Sequence, residues 1–189
     1  MKLFNLFVLA TALAISGSAY AADPEPDSIV VLAKHTEAKP DDPVQVRFEK
    51  FKVTKASFDP KKVEGGKATI EIDATSMKTG ADKRDAHLNT PDFLDTAKNP
   101  TITVDIDKVK KKADKTFTAE ATVKFRGVTK KYPVTFDVVN TTADSISIKS
   151  EVNFTRLDFK VGTPDSKDAK VAPVQNPLVI KMALTLKKT

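Results

Sequence analysis

Most of this chain alternates apolar and polar residues, which is the pattern of a β-strand with one buried face. The last such segment is the clearest, because every second residue from Leu178 to Leu186 is apolar. Successive side chains of a strand point to opposite faces of the sheet, so each segment offers one apolar face to a core. After the first 21 residues, no long stretch repeats its apolar residues at the helical period. We therefore predict an all-β fold rather than alternating layers of helices and strands.

Eight alternating segments follow one another, and most are joined by short links with turn residues such as Asp114, Gly127 and Asn140. Strands joined in this way form either a sandwich or an up-and-down barrel. The count favours closure, so we predict an eight-stranded antiparallel barrel. The predicted strands are 28–35, 44–58, 68–74, 101–106, 117–125, 132–138, 146–154 and 178–186.

The second segment changes phase within its length. Its apolar residues lie at even positions up to Phe48 and at odd positions from Phe51. A side-chain period of two cannot change parity without an extra residue. We therefore predict a bulge or bend near Glu49 and Lys50.

The first 21 residues have the pattern of a secretory signal peptide. Lys2 precedes an apolar run that ends at Ile15, and Ala19 and Ala21 form an A-x-A cleavage site. The apolar run is too short to span a bilayer, and no later segment is apolar enough to do so. We expect export to the periplasm and a single mature domain over residues 22–189.

The composition excludes several kinds of chemistry. The chain has no cysteine, so disulfides, thiol catalysis and cysteine-ligated metals are absent. Its formal net charge is +6, but the lysines alternate with acidic and apolar residues, which disfavours nucleic acid as a partner. A concentrated run, Lys108 and then Lys110, Lys111 and Lys112, falls where a hairpin turn is expected. It keeps that end soluble or makes a weak contact with anionic lipid headgroups.

A long polar link separates the third and fourth predicted strands. At about 25 residues it exceeds usual loop lengths, so we expect it to fold locally and to carry function. Pro91 ahead of Phe93 predicts one short helical turn there. The link also contains Arg84, Asp85 and His87, the densest group of titratable residues of different type.

Four blocks carry a family resemblance: TSMKTGADKRDAHLNTPDFLD, NPTITV, KFRGVTKKYPVTFDV and NFTRLDF, in that order. They resemble the YceI-like family, and the match covers roughly Ser28 to the C-terminus. The resemblance implies a lipocalin-like, extracytoplasmic barrel that binds a polyisoprenoid or a similar long apolar lipid. The chain departs from the family at Val46, Val53 and Lys160, where members tend to have glycine, and at Leu94, where they have an aromatic residue.

The resemblance implies a quinone or a polyprenyl phosphate as the bound ligand, with no further cofactor. The pattern alone does not separate a ligand cavity from a filled core. A filled barrel that engages a protein partner, or serves as an envelope stress-response module, therefore stays open as the alternative, and a homodimer is compatible with both. The candidate ligand-lining residues are Phe48, Phe51, Phe93, Leu94, Phe125, Phe136, Phe154 and Phe159.

The cluster of Arg84, Asp85 and His87 has two interpretations. It meets a lipid headgroup at the barrel mouth, or it holds the link in shape through an ion pair of Arg84. We favour the structural role, in which Arg84 belongs to a partly buried ion pair. An enzyme is disfavoured, since Ser76 and His87 lack a nucleophile turn of the G-x-S-x-G kind. No spacing of His35, His87 and carboxylates fixes a metal site.

The signal sequence makes a direct prediction about the mature protein. We expect cleavage after Ala21, so that the N-terminal residue is Ala22. Intact-mass measurement on protein isolated from the cell envelope checks this. A mature form that keeps residues 1–21 would remove the periplasmic assignment.

Overall fold

The computed structural model describes residues 27–34, 43–162, 176 and 178–189. The predicted signal peptide, His35 and most of the link 157–177 therefore lie outside the described residues. Ten strands form one antiparallel sheet in the order β3-β4-β6-β7-β8-β9-β10-β1-β2-β5. The strands are β1 Ser28–Ala33, β2 Val44–Phe48, β3 Phe51–Asp59, β4 Lys62–Asp73, β5 Met77–Lys78, β6 Thr101–Lys111, β7 Thr116–Phe125, β8 Val128–Thr141, β9 Ser145–Phe154 and β10 Leu178–Lys187.

The predicted all-β antiparallel class is confirmed, whereas the predicted count of eight strands is wrong. The structure divides the predicted second strand into β2 and β3, and the break falls at Glu49 and Lys50, where the phase change predicted it. The tenth strand, β5, has only two residues and pairs with β2. It was missed because two residues are too few to show alternation.

The sheet curls, so that the residues just beyond β10 approach the edge strand β3. Thr189, just beyond β10, donates its backbone N–H to the Ala56 carbonyl of β3 at 2.9 Å. The Thr189 hydroxyl lies 3.0 Å from the Ala56 nitrogen and 3.1 Å from the Ala56 oxygen. These contacts join β10 to β3, so the edge groups of β3 find partners at that point.

The buried faces follow the predicted parity. Alternate residues of β7 from Phe117 to Phe125 are all buried, and so are Val134, Phe136 and Val138 of β8. The faces therefore line one interior, in which most of the buried apolar residues form a single core.

Two strands change parity at positions with positive φ. Gly65 in β4 has φ 75° and Lys108 in β6 has φ 55°. The ladder between these strands ends at the pair Ala68 and Ile106, so the strands diverge beyond it. Because β6 continues to Lys111, the lysine run lies mainly on a strand rather than in the predicted turn. Among non-glycine residues such a φ is uncommon, so the pattern of apolar residues gave no sign of the Lys108 bulge.

The long link contains a helix, α1, over Asp82–Leu88, and a 3₁₀ helix over Ala74–Ser76. The predicted helical turn after Pro91 is a hydrogen-bonded turn only, and the helix lies before it. The helix was missed because its sequence, DKRDAHL, is almost entirely polar. Within the described residues, no helix is both long and apolar enough to cross a membrane.

The antiparallel order gives the sheet two distinct ends. The link end carries the link 74–100 and a second 3₁₀ helix over Arg156–Phe159. The lysine end, at the opposite side, carries the turns 60–61, 112–115 and 142–144 and the C-terminal residues 188 and 189. Every candidate site described below belongs to one of these two ends.

We expect substitutions at two neighbouring glycines of β4 to have contrasting effects on the stability of the fold. A Cβ at Gly66 would lie 2.8 Å from the Val63 carbonyl oxygen and 3.1 Å from the Phe58 Cβ. We expect Gly66→Ala to destabilise the fold by about 1–3 kcal/mol in denaturant unfolding, as overpacked sites do. At Gly65 nothing lies within 4 Å of the added Cβ, although φ is positive.

Gly65→Asn is the matched control, because asparagine tolerates this conformation and the site is open. It should change stability by no more than about 0.5 kcal/mol. Equal losses in the two variants would contradict the assignment of the bulge.

Candidate functional site

An apolar cavity of about 60 Å³ lies inside the sheet. It is nearer the lysine end, because its wall includes the last residues of β3, β6 and β10 and the first residues of β4 and β9. Gly66, Lys67 and Ser150 complete an otherwise apolar lining. The apolar wall consists of Phe58, Val63, Ala68, Ile70, Ile106, Val109, Val134, Phe136, Ile146, Ile148, Met182, Leu184 and Leu186.

The predicted lining residues lie in three different places. Phe136 lines the cavity. Phe48 is buried in the same core, and Phe51 is partly buried against it, but neither is on the cavity wall. Phe93 lies on the link and contacts the His87 ring edge to face, with ring centroids 4.8 Å apart. The alternation in the sequence identified correctly which strand residues face inward. It could not show at which position along the strands a cavity remains.

The other predicted residues fill the interior at the link end. Phe159 is completely buried and stacks on Phe154 with centroids 5.1 Å apart and planes 10° apart. Phe125 is buried in the same cluster, and Leu94 packs against it from the link. These side chains occupy the space that a ligand would need in order to pass through this end.

Tyr132, which sequence analysis did not single out as a site residue, anchors this cluster. Its ring lies 5.2 Å from that of Phe154, and its hydroxyl donates to Asp158 Oδ2 at 2.9 Å. Burial, together with the bond to Asp158, raises the pKa of Tyr132 well above its usual range. The hydroxyl therefore stays protonated as a donor. The sequence contained one indication of this role for Tyr132: the alternation of β8 places its side chain on the inner face.

The link is fastened to the sheet at both of its sides. Arg126, in the turn between β7 and β8, donates to the carbonyl oxygens of Phe93 and Pro91. The Gly162 N–H donates to the Asp92 carbonyl at 2.8 Å. Lys160 has φ 56°, a left-handed conformation that favours glycine.

The predicted polar cluster is divided by the geometry of α1. Asp85 is buried and accepts bonds from the Thr79 N–H at 2.9 Å and the Thr79 hydroxyl at 2.6 Å. Its second oxygen lies 3.7 Å from Lys78 Nζ. Arg84 and His87 are both exposed on other sides of the helix. The expected partly buried ion pair of Arg84 is thus wrong, and the ion pair that this helix makes joins the buried Asp85 to the exposed Lys78.

The contacts of Asp85 favour the structural role for this cluster. The hydroxyl and N–H of Thr79, with the charge of Lys78, lower the pKa of Asp85 from its ordinary 3.8. The carboxylate therefore ties the start of the link to its helix in the ionised form. The sequence analysis did not single out Thr79 as a partner of Asp85. Thr79 lies only six residues before Asp85, which is close enough in the chain for its N–H and hydroxyl to reach the carboxylate.

Ser76, considered above as a nucleophile, has structural contacts, and the residues considered for a metal do not converge. The Ser76 hydroxyl donates to the Asp73 carbonyl at 2.7 Å and accepts from the Lys50 N–H at 2.9 Å, which holds the bend between β2 and β3. In the part of the chain that the structure describes, no three His, Asp or Glu side chains come together as metal ligands. His35, the other histidine, lies outside that part.

The Asp85 anchor predicts a pH-dependent stability. We expect Asp85→Asn to lower the melting temperature by several degrees at neutral pH, because the amide cannot replace the ionised acceptor. A folded-state pKa that is lowered stabilises above the ordinary value of 3.8, and this contribution is lost as the pH falls from there. The difference between variant and wild type in thermal unfolding should therefore shrink below that pH.

Arg84→Ala is the control, since it changes an exposed neighbour on the same helix. It should melt like the wild type at every pH. If Arg84→Ala lowered the melting temperature more than Asp85→Asn, the anchor would be misassigned.

The chain is similar in sequence and in fold to several known proteins. A YceI protein from Escherichia coli is 40% identical over 82 residues, which are 43% of this chain and 41% of that protein. The chain thus spans about four tenths of the length of this curated relative. The crystal structure of Burkholderia cenocepacia BcnA matches with a TM-score of 0.73 and 20% identity, over 85% of this chain and 96% of that one.

A second solved structure shares the fold. It is described as a polyisoprenoid binding domain from Saccharophagus degradans implicated in plant cell wall breakdown. It matches with a TM-score of 0.66 and 15% identity, over 88% of this chain and 97% of that one. The sequence profile of the YceI-like domain matches residues 20–186, which is nearly the whole chain. The protein therefore belongs to the YceI-like family.

Proposed function

We propose that this protein binds an isoprenoid lipid, such as a quinone or a polyprenyl phosphate, inside its curled sheet. The function is binding and carriage without a covalent step. Burial of the apolar chain supplies affinity at roughly 25 cal/mol per Å². The proposed compartment is the periplasm, because residues 1–21 have the pattern of a signal peptide.

The apolar cavity is the observation that carries this proposal. Its wall offers apolar side chains from strands on all sides and few polar groups, which suits a hydrocarbon chain and not a sugar or nucleotide. The Saccharophagus domain, described as polyisoprenoid binding, supports this ligand class.

The size of the cavity sets a requirement on binding. Its 60 Å³ is below the roughly 150 Å³ that admits benzene, and far below the roughly 300–1,000 Å³ of ordinary ligand sites. A prenyl chain must therefore move wall residues apart as it enters. The diverging ends of β4 and β6 allow this, because no ladder joins them beyond Ala68 and Ile106.

The same small volume favours one alternative function. A sheet whose interior is already filled has no need of a ligand, and its loops then engage a protein partner as an envelope interaction or stress-response module. Copurification of a lipid separates the two candidates, since only the carrier retains one.

A pair of adjacent substitutions in β8 tests the carrier function. Phe136 is buried on the cavity wall, whereas Thr135 is exposed on the opposite face. Phe136→Asp should abolish lipid retention, because an unpaired buried carboxylate is costly and draws water into the cavity. Organic extraction of purified protein followed by mass spectrometry should find a stoichiometric prenyl lipid in the wild type and none in this variant.

Thr135→Asp supplies the same charge without entering the interior, so it should retain the lipid. Ile148→Phe adds volume at the wall without charge and should reduce retention, which covers the case that Phe136→Asp does not fold. Folded Phe136→Asp and Ile148→Phe proteins that both keep a full complement of lipid would place the ligand outside the sheet. A wild-type protein that takes up no polyprenyl phosphate on incubation would favour the filled alternative.

A further inference from the structure

The lysine end carries a concentration of positive charge. Eight exposed lysines lie on its turns and strand ends, against five acidic residues, Asp59, Glu64, Asp114, Asp137 and Asp144. At the link end, by contrast, α1 carries two acidic and two basic residues besides His87. The lysines are Lys61, Lys62, Lys110, Lys111, Lys112, Lys115, Lys187 and Lys188.

These lysines differ from those on the walls of the sheet. Wall lysines form ion pairs across strands, as Lys124 does with Asp105 at 2.9 Å and Lys131 with Glu120 at 2.8 Å. Within the described ranges, none of the eight lysines of the lysine end has an acidic partner within ion-pair distance. Their ammonium groups are therefore free to meet anionic groups from outside, and no internal pair has to be broken.

Strand pairing is also interrupted at this end. Beyond the pair Ala68 and Ile106 no ladder joins the last part of β6 to the first part of β4, and we call this unpaired region the gap; the Lys111 N–H donates to Glu64 Oε1 at 3.3 Å across it. Gly66 and Lys67 border the gap and also line the apolar cavity. The gap, the cavity and the free lysines thus meet at one end.

We propose that the lysine end docks on an anionic lipid bilayer, with the gap between β4 and β6 turned toward the membrane. We choose a bilayer as the binding partner because of charge complementarity. Exposed lysines on several turns and strand ends match the negative charge of a plane of phosphate headgroups. Docking in this orientation brings the cavity to the source of an apolar lipid. The proposed function names a bound lipid but no orientation at a membrane. The docking proposal adds that orientation, in which the link end, with its filled interior, faces away from the bilayer.

Vesicle binding tests the docking without any isoprenoid. The full mature protein is sedimented with vesicles of phosphatidylglycerol and phosphatidylcholine, or of phosphatidylcholine alone. Binding should require phosphatidylglycerol and weaken as salt rises, since the charges are exposed. The triple variant Lys110→Glu, Lys111→Glu, Lys112→Glu should lose affinity by roughly fivefold or more for each lysine.

A second triple variant, Lys83→Glu, Arg84→Glu, Lys98→Glu, makes the same change in net charge at exposed positions of the link end. It should retain most of the wild-type affinity, and circular dichroism checks that both variants fold. Equal losses in the two variants would show a response to net charge alone and overturn the proposed orientation. A wild-type protein that ignores phosphatidylglycerol vesicles would overturn the docking itself, while lipid copurification would still judge the proposed function separately.

Discussion

A curled antiparallel sheet has two edge strands, and the rest of this structure depends on how their unpaired backbone groups are satisfied. The edge strands are β3 and β5, and β2, which pairs with β5, passes directly into β3 through Glu49 and Lys50. Ser76 holds that bend through both its hydroxyl and its carbonyl. Thr189 ties the last strand to Ala56. At these points groups near the edges find partners, and the apolar faces of the strands meet in the interior of the sheet.

The two ends of this interior have opposite characters. At the link end Phe154, Phe159 and Tyr132 stack, Asp85 holds the start of the link to its helix, and Arg126 fastens the link to the turn between β7 and β8. At the lysine end the bulges in β4 and β6 interrupt pairing, and the cavity lies just inside. The interior is thus closely packed at the link end, whereas at the lysine end strand pairing is interrupted next to the cavity. Regions with interrupted pairing open more easily, which suits a site that must admit a ligand.

The sequence predicted features that follow from strict alternation. The fold class, the inward faces and the break at Glu49 and Lys50 all follow because parity in a strand cannot drift. The helix α1 was missed, since its residues are polar and Asp85 is fixed by a tertiary contact. The position of the cavity was missed as well, because alternation identifies the inner face of a strand but not where along that face a space remains. Of the residues predicted to line a ligand, Phe136 lies on the cavity wall, and its neighbours there are mostly ordinary aliphatic residues.

The central claim is that an apolar lipid enters the interior through the lysine end. Amide hydrogen exchange of the full mature protein, measured before and after loading with a polyprenyl phosphate, tests it most directly. The account predicts that exchange slows in residues 62–67 and 106–111 and in the strands around the cavity, while α1 and residues 125–132 keep their rates. Protection confined to the link 79–100, with no change in β4 or β6, would contradict it.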